Sequence, residues 1–287
     1  MNINKDIFRA YDIRGIYPND LNEQTFLLIG KAIGKQIIIN SVKSDVCVCM
    51  DGRLSGPSLK ENLIKGLISM GINVIDIGML PTPLLYYSLK QLDVSNGLMI
   101  TGSHNPSNYN GIKMVINNKT LFDGHIKDIY KSIITNKFIN NSPLGKLTVN
   151  NTILEKYVKD ILDDIRIKST LKISIDCGNG ITGAITRKVF DSLNLDFEII
   201  HENVDGNFPN HPPDPTNEEN LSDLKDNIIK NNADIGFAYD GDGDRICVVT
   251  KEGIVLWPDQ LLMLYSKSIL KKDPGGKIVY DLSLIHI

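Results

Sequence analysis

The run Asp-Gly-Asp-Gly-Asp-Arg at 240–245 places carboxylates at Asp240, Asp242 and Asp244 with a glycine between each pair. Glycine accepts tight turns that other residues resist, so the three acids can converge on one point. At a spacing of about 5 Å and an effective dielectric near 20, each pair would repel by roughly 3 kcal/mol. A bound cation removes that cost. The donors are all oxygen, which favours a hard ion such as Mg²⁺, and that ion completes its shell with water or a phosphate oxygen. A calcium loop of the EF-hand type would need glycine and glutamate where Arg245 and Lys251 stand. The plain alternative is a solvated acidic turn, yet the motif directly follows an apolar run, "DIGFAY" (234–239). Arg245, beside the acids, can grip a phosphate through two parallel hydrogen bonds.

A second polar loop, "TGSHNP" (101–106), follows the apolar run Leu98 to Ile100 and carries Ser103. A phosphate esterified to Ser103 would offer the cation a fourth ligand from outside the acidic loop. Taken alone, Ser103 reads first as a turn-capping serine. A hydrolase nucleophile fits less well, because the second glycine of G-x-S-x-G is missing and no downstream acid and histidine suggest a triad. His104 reads as a turn residue or a base. Asn110-Gly111 predicts a hairpin turn, after which Lys113 opens a strand and faces either solvent or the cleft. Arg14 precedes Gly15 near the N-terminus and is not placed by pattern.

These loops need a scaffold, and the chain repeats one. "DVCVCMDGR" (45–53) reads as a strand, 56–71 as a helix with Pro57 in its first turn, and "INVIDIG" (72–78) as the next strand. The plan returns as strand 171–180, helix 181–194 and strand 195–201, and a third copy is expected to open with "GKIVYDLS" (276–283). Each first strand ends in an aspartate: Asp51, Asp176 and Asp281. The expected fold is α/β, as tandem three-layer domains with mixed sheets and helices on both faces. Boundaries are expected at 1–145, 146–250 and 251–287, the third domain cut short and the final "SLIHI" an artificial end. Ligands of open α/β sheets bind at the carboxyl ends of strands, where both polar loops fall. Trp257 is expected as a packing residue at the second join.

At 287 residues there is room for roughly two domains. Apolar content of 42%, charged content of 23% and a net charge of −3 without long single-sign blocks give no nucleic-acid or membrane surface. No signal-like or membrane-length apolar run appears, so a cytoplasmic location is the expectation. Cys47, Cys49, Cys177 and Cys247 lie in apolar runs and read as buried reduced thiols rather than disulfides or a zinc site. One motif competes: "GNGITG" (178–183) matches G-x-G-x-x-G between a strand and a helix. It would support an NAD-dependent dehydrogenase, although Asp176 would set a negative charge near the pyrophosphate.

Taken in order, "FRAYDIRG" (8–15), "DGRLSGP" (51–57), "PTP" (81–83), "TGSHNPSNYNGIK" (101–113), "VDGNFPNHPPDPT" (204–216) and "DGDGDR" closely resemble motifs of the α-D-phosphohexomutases, nearest the bacterial phosphomannomutase/phosphoglucomutase branch. The resemblance implies that Ser103 carries the transferred phosphate, that Asp240, Asp242 and Asp244 hold Mg²⁺ together with the group on Ser103, and that His104, Lys113 and Arg14 line the transfer centre. It also implies Arg245, Tyr11 and Arg14 as phosphate or substrate contacts. The reaction implied interconverts hexose 6-phosphate and hexose 1-phosphate through a hexose 1,6-bisphosphate. "NHPPDP" stands where the family pattern has NHHPDP. The family carries a sugar-recognition loop in a third domain and a phosphate-binding loop in a fourth, and the sequence ends before both. Very slow turnover by these residues alone is therefore expected, since positioning supplies much of catalysis. A non-catalytic sugar-phosphate-binding module is the remaining alternative. Sugar preference and oligomeric state stay open.

Overall fold

The central strand-forming runs are apolar at nearly every position, as in Val46–Met50, so side chains pointing to either side of the sheet can be buried. The computed structural model describes residues 3–136, 138, 143–167 and 170–280. The first sheet holds β1 (Ile13–Ile16), β2 (Val46–Met50), β3 (Val74–Met79), β4 (Asn96–Ile100), β5 (Tyr109–Ile116), β6 (Lys119–Thr120) and β7 (Leu147–Val149). Its order is β1-β5-β4-β2-β3-β7, with β6 paired to β5. Strands β4, β2, β3 and β7 run parallel, whereas β5 and β1 are antiparallel at one edge.

Five helices cover this sheet: α1 (Glu23–Asn40), α2 (Gly56–Ser69), α3 (Thr82–Gln91), α4 (Gly124–Thr135) and α5 (Ile153–Asp164). Val46, Val48 and Met50 point into a core with Phe26 and Ile33 of α1, Leu63 of α2 and Ile129 of α4. Cys47 and Cys49, one residue out of phase, face Leu84, Leu85 and Leu89 of α3 and Ile153 of α5. Period-two side-chain direction in a strand makes these two faces separate cores.

The second sheet is built from β8 (Lys172–Asp176), β9 (Asp196–Ile200), β10 (Ile235–Tyr239), β11 (Ile246–Thr250) and β12 (Val255–Leu256), in the order β12-β11-β10-β8-β9. Helix α6 (Gly183–Ser192) packs Phe190 on the Ile173, Ile175 and Cys177 cluster of this sheet and Ile185 on the cluster that α3 and α5 form against the first. Helix α7 (Ser222–Asn231) contributes Leu224 and Ile228 to another core, and α8 (Pro258–Lys272) follows β12. The tandem, mixed-sheet α/β architecture matches the expectation. All four cysteines are buried free thiols, and burial pushes Cys47 up to about 11. No helix among the described residues is long and apolar enough to cross a membrane.

Three local expectations differ from the structure. Asn110-Gly111 is no hairpin turn: both lie inside β5, paired with Gly15 and Arg14 of β1. Asn110 is fully buried and donates from Nδ2 to Ser55 Oγ at 2.8 Å, so long-range pairing overrides the local turn preference. The joins also shift. Strand β7 hydrogen-bonds to β3 and carries the first sheet through Val149, past the boundary at 145. Strand β12 pairs with β11, and Trp257 packs on the second core, so the second unit runs past 250. Residues 276–280 take no strand conformation. Asp281 and "SLIHI" lie outside the described residues.

Candidate active site

Ser103 leaves the carboxyl end of β4 in the left-handed region, with φ 50°. A non-glycine residue there is costly and persists only where its surroundings over-determine it. Thr101 Oγ1 accepts the Ser103 N–H at 2.7 Å. Arg53, fully buried, donates from Nη2 to the carbonyls of Ser103 at 2.8 Å and Asn105 at 2.6 Å. Its Nη1 donates to those of Pro106 and, at 2.9 Å, Tyr109. One guanidinium thus gathers four carbonyls of the 103–109 loop. Arg14 adds a hydrogen bond from Nη1 to Gly102 O at 2.8 Å, and its buried Nε has no partner among the described residues.

Asp51 anchors this assembly from the end of β2. Its carboxylate accepts from Arg53 N at 3.0 Å, Thr101 Oγ1 at 2.7 Å and Gly102 N at 3.2 Å, and it pairs with Arg53 Nε at 3.2 Å. Burial raises the Asp51 carboxyl, and the Arg53 charge is the strongest influence opposing that rise. Asp176 plays the matching part at the end of β8, accepting from Gly178 N at 2.8 Å. Asp51 and Asp176 therefore echo one another in structure: both order the turn that follows their strand.

The acidic loop leaves the carboxyl end of β10 and meets the serine loop directly. A side chain on Gly241 would place a Cβ only 2.6 Å from the Ser103 carbonyl, so only glycine permits this approach. Ser103 Oγ donates to Asp240 Oδ2 at 3.0 Å. Asp240 Oδ1 accepts the backbone N–H of Asp244 at 3.0 Å and of Arg245 at 3.1 Å. Lys113 of β5 reaches across with Nζ 2.6 Å from Asp242 Oδ2 and 2.5 Å from Asp244 Oδ2. Thr82, at the start of α3, donates from Oγ1 to Asp242 Oδ2 at 2.5 Å and from its backbone N–H to Asp242 O at 2.9 Å.

Charge in this cluster is unevenly shared. Burial, then the charges of Asp242 and Asp244, push Asp240 up to about 8. Burial opposes the charge of Asp242 too, but Lys113 and the Thr82 hydroxyl hold that carboxyl below its ordinary value. Lys113 is likewise disfavoured by burial, but the charges and hydrogen bonds of Asp242 and Asp244 more than compensate and raise it. His104 is shifted down, by burial first and the Arg245 charge second, and its Nδ1 lies 3.4 Å from Ser103 Oγ. Arg245 is exposed beside it, and Tyr11 stands 77% exposed ahead of β1 rather than packed.

The three aspartates can offer ligand oxygens all within 4.8 Å of one another. Asp242 Oδ1 is buried without a hydrogen-bond partner among the described residues, a position that a cation satisfies and an apolar environment does not. Together with the oxygen-only donor set, this fits a hard divalent ion.

The chain matches the family "Phosphoglucomutase/phosphomannomutase, alpha/beta/alpha domain I" over residues 5–140 and domain II of the same family over residues 155–253. The chain belongs to the phosphoglucomutase/phosphomannomutase family. It is 46% identical over 275 residues to a phosphomannomutase/phosphoglucomutase of Pseudomonas syringae pv. tomato, covering 96% of this chain and 58% of that protein. A phosphoglucomutase of Neisseria meningitidis serogroup B is 41% identical, with 97% of this chain and 60% of the relative covered. The crystal structure of a phosphoglucomutase/phosphomannomutase family protein from Burkholderia thailandensis superposes with TM-score 0.93 at 38% identity, covering 98% of this chain and 62% of that one. The chain thus spans less than two thirds of the length of each of these relatives.

In this chain the "GNGITG" segment gives no support to a dinucleotide site. A phosphate cradle needs free backbone N–H groups, and these are engaged: Gly178 N with Asp176, Asn179 N with His201 O, Gly180 N with Cys177 O and Ile181 N with Gly241 O. Sequence reasoning assigned no role to Arg53 or Thr82, although both sit in quoted motifs. Pro81 and Pro83 around Thr82 were the available signal, since they hold a hydroxyl at a helix start.

Asp176 also pairs with His211, Nε2 to Oδ2 at 2.9 Å, while His201 pairs with Asp223 at 2.9 Å. Ligand atoms of Asp176, His201 and His211 lie close enough for a metal, yet these carboxylate pairings already account for both imidazoles. Burial alone would lower His211, but the hydrogen bond and charge of Asp176 outweigh it and raise it. A raised folded-state value contributes stability below the unfolded value, about 6.5, and loses it as pH climbs through the folded one. The destabilisation caused by His211→Gln is therefore expected to be larger near pH 6 than near pH 9. Denaturant unfolding of both proteins at the two pH values checks this, and an equal difference at both would contradict it.

Proposed function

We propose that the protein is a phosphohexomutase, interconverting hexose 6-phosphate and hexose 1-phosphate through a phosphate carried on Ser103. The observation that supports it most is the 3.0 Å approach of Ser103 Oγ to the acidic loop of the second domain. A nucleophilic oxygen held in a strained turn against three carboxylates has little other use. Asp240, Asp242 and Asp244 would hold Mg²⁺, with the phosphate on Ser103 as a further ligand. When bound, the ion would neutralise charge on the transferring phosphoryl group.

The remaining roles belong to this chain's own side chains. In the forward half-reaction the bond from phosphorus to Ser103 Oγ breaks as one forms to a sugar hydroxyl, whose proton must leave. His104, the lowered group at 3.4 Å from Oγ, suits that transfer. Lys113, kept charged, would steady the equatorial oxygens instead. Arg245, exposed beside His104, would donate to a substrate phosphate, and Arg14, which holds the Gly102 carbonyl, would add positive charge at the same place. Tyr11, exposed, would meet the sugar. The hexose 1,6-bisphosphate formed would then return its other phosphate to Ser103. Four free thiols accord with a reducing compartment, and we place the protein in the cytoplasm.

The test is conversion of glucose or mannose 1-phosphate to the 6-phosphate, followed by phosphorus NMR with Mg²⁺ and a trace of the 1,6-bisphosphate. Ser103→Ala is expected to lower any conversion to background. Conversion surviving in Ser103→Ala would overturn the reading.

A further inference from the structure

Arg53 gathers the serine loop from below, and its other face is covered by the second domain. The Phe208 ring lies under the guanidinium, with Cζ 5.1 Å from the ring centroid. Phe208 itself adopts φ 52°, a left-handed conformation that is exceptional for a bulky residue. Two residues earlier, Gly206 presses on the backbone after β2: a Cβ there would lie 2.7 Å from Leu54 N and 2.8 Å from Gly52 O. Three residues later, His211 is fixed at both ring nitrogens, Nε2 at 2.9 Å from Asp176 and Nδ1 at 2.8 Å from Pro212 O. Both partners are acceptors, so both nitrogens donate. The following carbonyl, Pro213 O, accepts the N–H of Gly241 in the acidic loop at 3.2 Å. One short segment therefore touches the Arg53 that shapes the serine loop and the Gly241 that shapes the carboxylates.

We propose that residues 204–216 form a positioning strap that sets the Ser103 loop against the acidic loop, with Phe208 and His211 as its two anchors. The proposal rests on the phosphoryl-transfer reading of the site and adds to it what keeps the two halves in register. The need is steep, because a displacement of about 1 Å can cost a transfer reaction on the order of a hundredfold. The strap works on both loops at once. Phe208 limits tilting of the guanidinium through ring and cation attraction, and His211 pins the Pro212-Pro213 turn to the end of β8. Neither side chain needs to touch substrate, so both are positioning residues.

The test uses Phe208→Ala, Phe208→Tyr and His211→Gln in the full chain. With a hexose 1,6-bisphosphate and saturating Mg²⁺, Phe208→Ala is expected to slow phosphorylation of Ser103 by about tenfold or more while Mg²⁺ affinity holds. Phe208→Tyr, which keeps the ring, is expected to restore the rate. Hydrogen exchange gives a readout independent of chemistry: Phe208→Ala should speed exchange of amides in 101–109, across the domain boundary, and His211→Gln should speed that of Gly241. A lowered melting temperature with an unchanged rate in the folded protein would mean that Phe208 is structural only and would overturn the proposal. Unchanged exchange at 101–109 would overturn it too. Should the unmutated protein take up no phosphate, the functional reading fails, and the exchange measurement still decides the strap.

Discussion

Replacing Arg53 with leucine is expected to cost on the order of 4 kcal/mol or more of stability and to disorder the serine loop. Asp51 would remain as a buried charge whose main opposing influence is gone. Carbonyls of Ser103, Asn105, Pro106 and Tyr109 would each lose a donor. The Phe208 ring would lose the guanidinium it lies against. Against a typical domain stability of about 5–15 kcal/mol, the first domain would be left marginal. Arg53→Lys is expected to recover part of the stability, since an ammonium keeps the charge beside Asp51. It cannot recover the loop, because three donors on a flexible stem do not match a planar fork reaching four acceptors. Urea unfolding measures the first effect, and hydrogen exchange at 101–109 the second. A loss within about 1 kcal/mol for Arg53→Leu would show that other contacts hold the loop.

Much of the site could be read from the sequence because its chemistry is local there. Asp240, Asp242 and Asp244 lie in one hexapeptide, and Ser103 sits at the end of an apolar run, so motif and position in a strand were visible together. Strand β2 was likewise legible, because a strand packed between two cores must be apolar at every position, as Val46–Met50 is. What escaped were partners far apart in the chain. Arg53 meets carbonyls of residues 103–109, and Thr82 meets Asp242 across the domain boundary; no local pattern encodes either pairing. Asn110-Gly111 misled for the converse reason: a strong turn dipeptide was absorbed into β5 by pairing with β1. Strand β7 was missed because Leu147–Val149 is only three residues long, too short for its alternation to stand out from the polar linker around it.

The two loops matter only if the carboxylates act on the group that Ser103 carries. Asp242 is the most telling of the three, since it takes hydrogen bonds from Lys113 and Thr82 on one oxygen and leaves the other buried without a partner among the described residues. Asp242→Asn preserves the shape of the side chain while removing its charge. It is expected to slow phosphoryl transfer to Ser103 by on the order of a hundredfold and to weaken Mg²⁺ binding. The deciding measurement is phosphopeptide mapping over time, after mixing the protein with a hexose 1,6-bisphosphate and Mg²⁺. The account predicts phosphate on Ser103 in the unmutated protein, far slower labelling in Asp242→Asn and none at this position in Ser103→Ala. Ser103 left unmodified at every bisphosphate and Mg²⁺ concentration, or labelled as fast in Asp242→Asn, would contradict it.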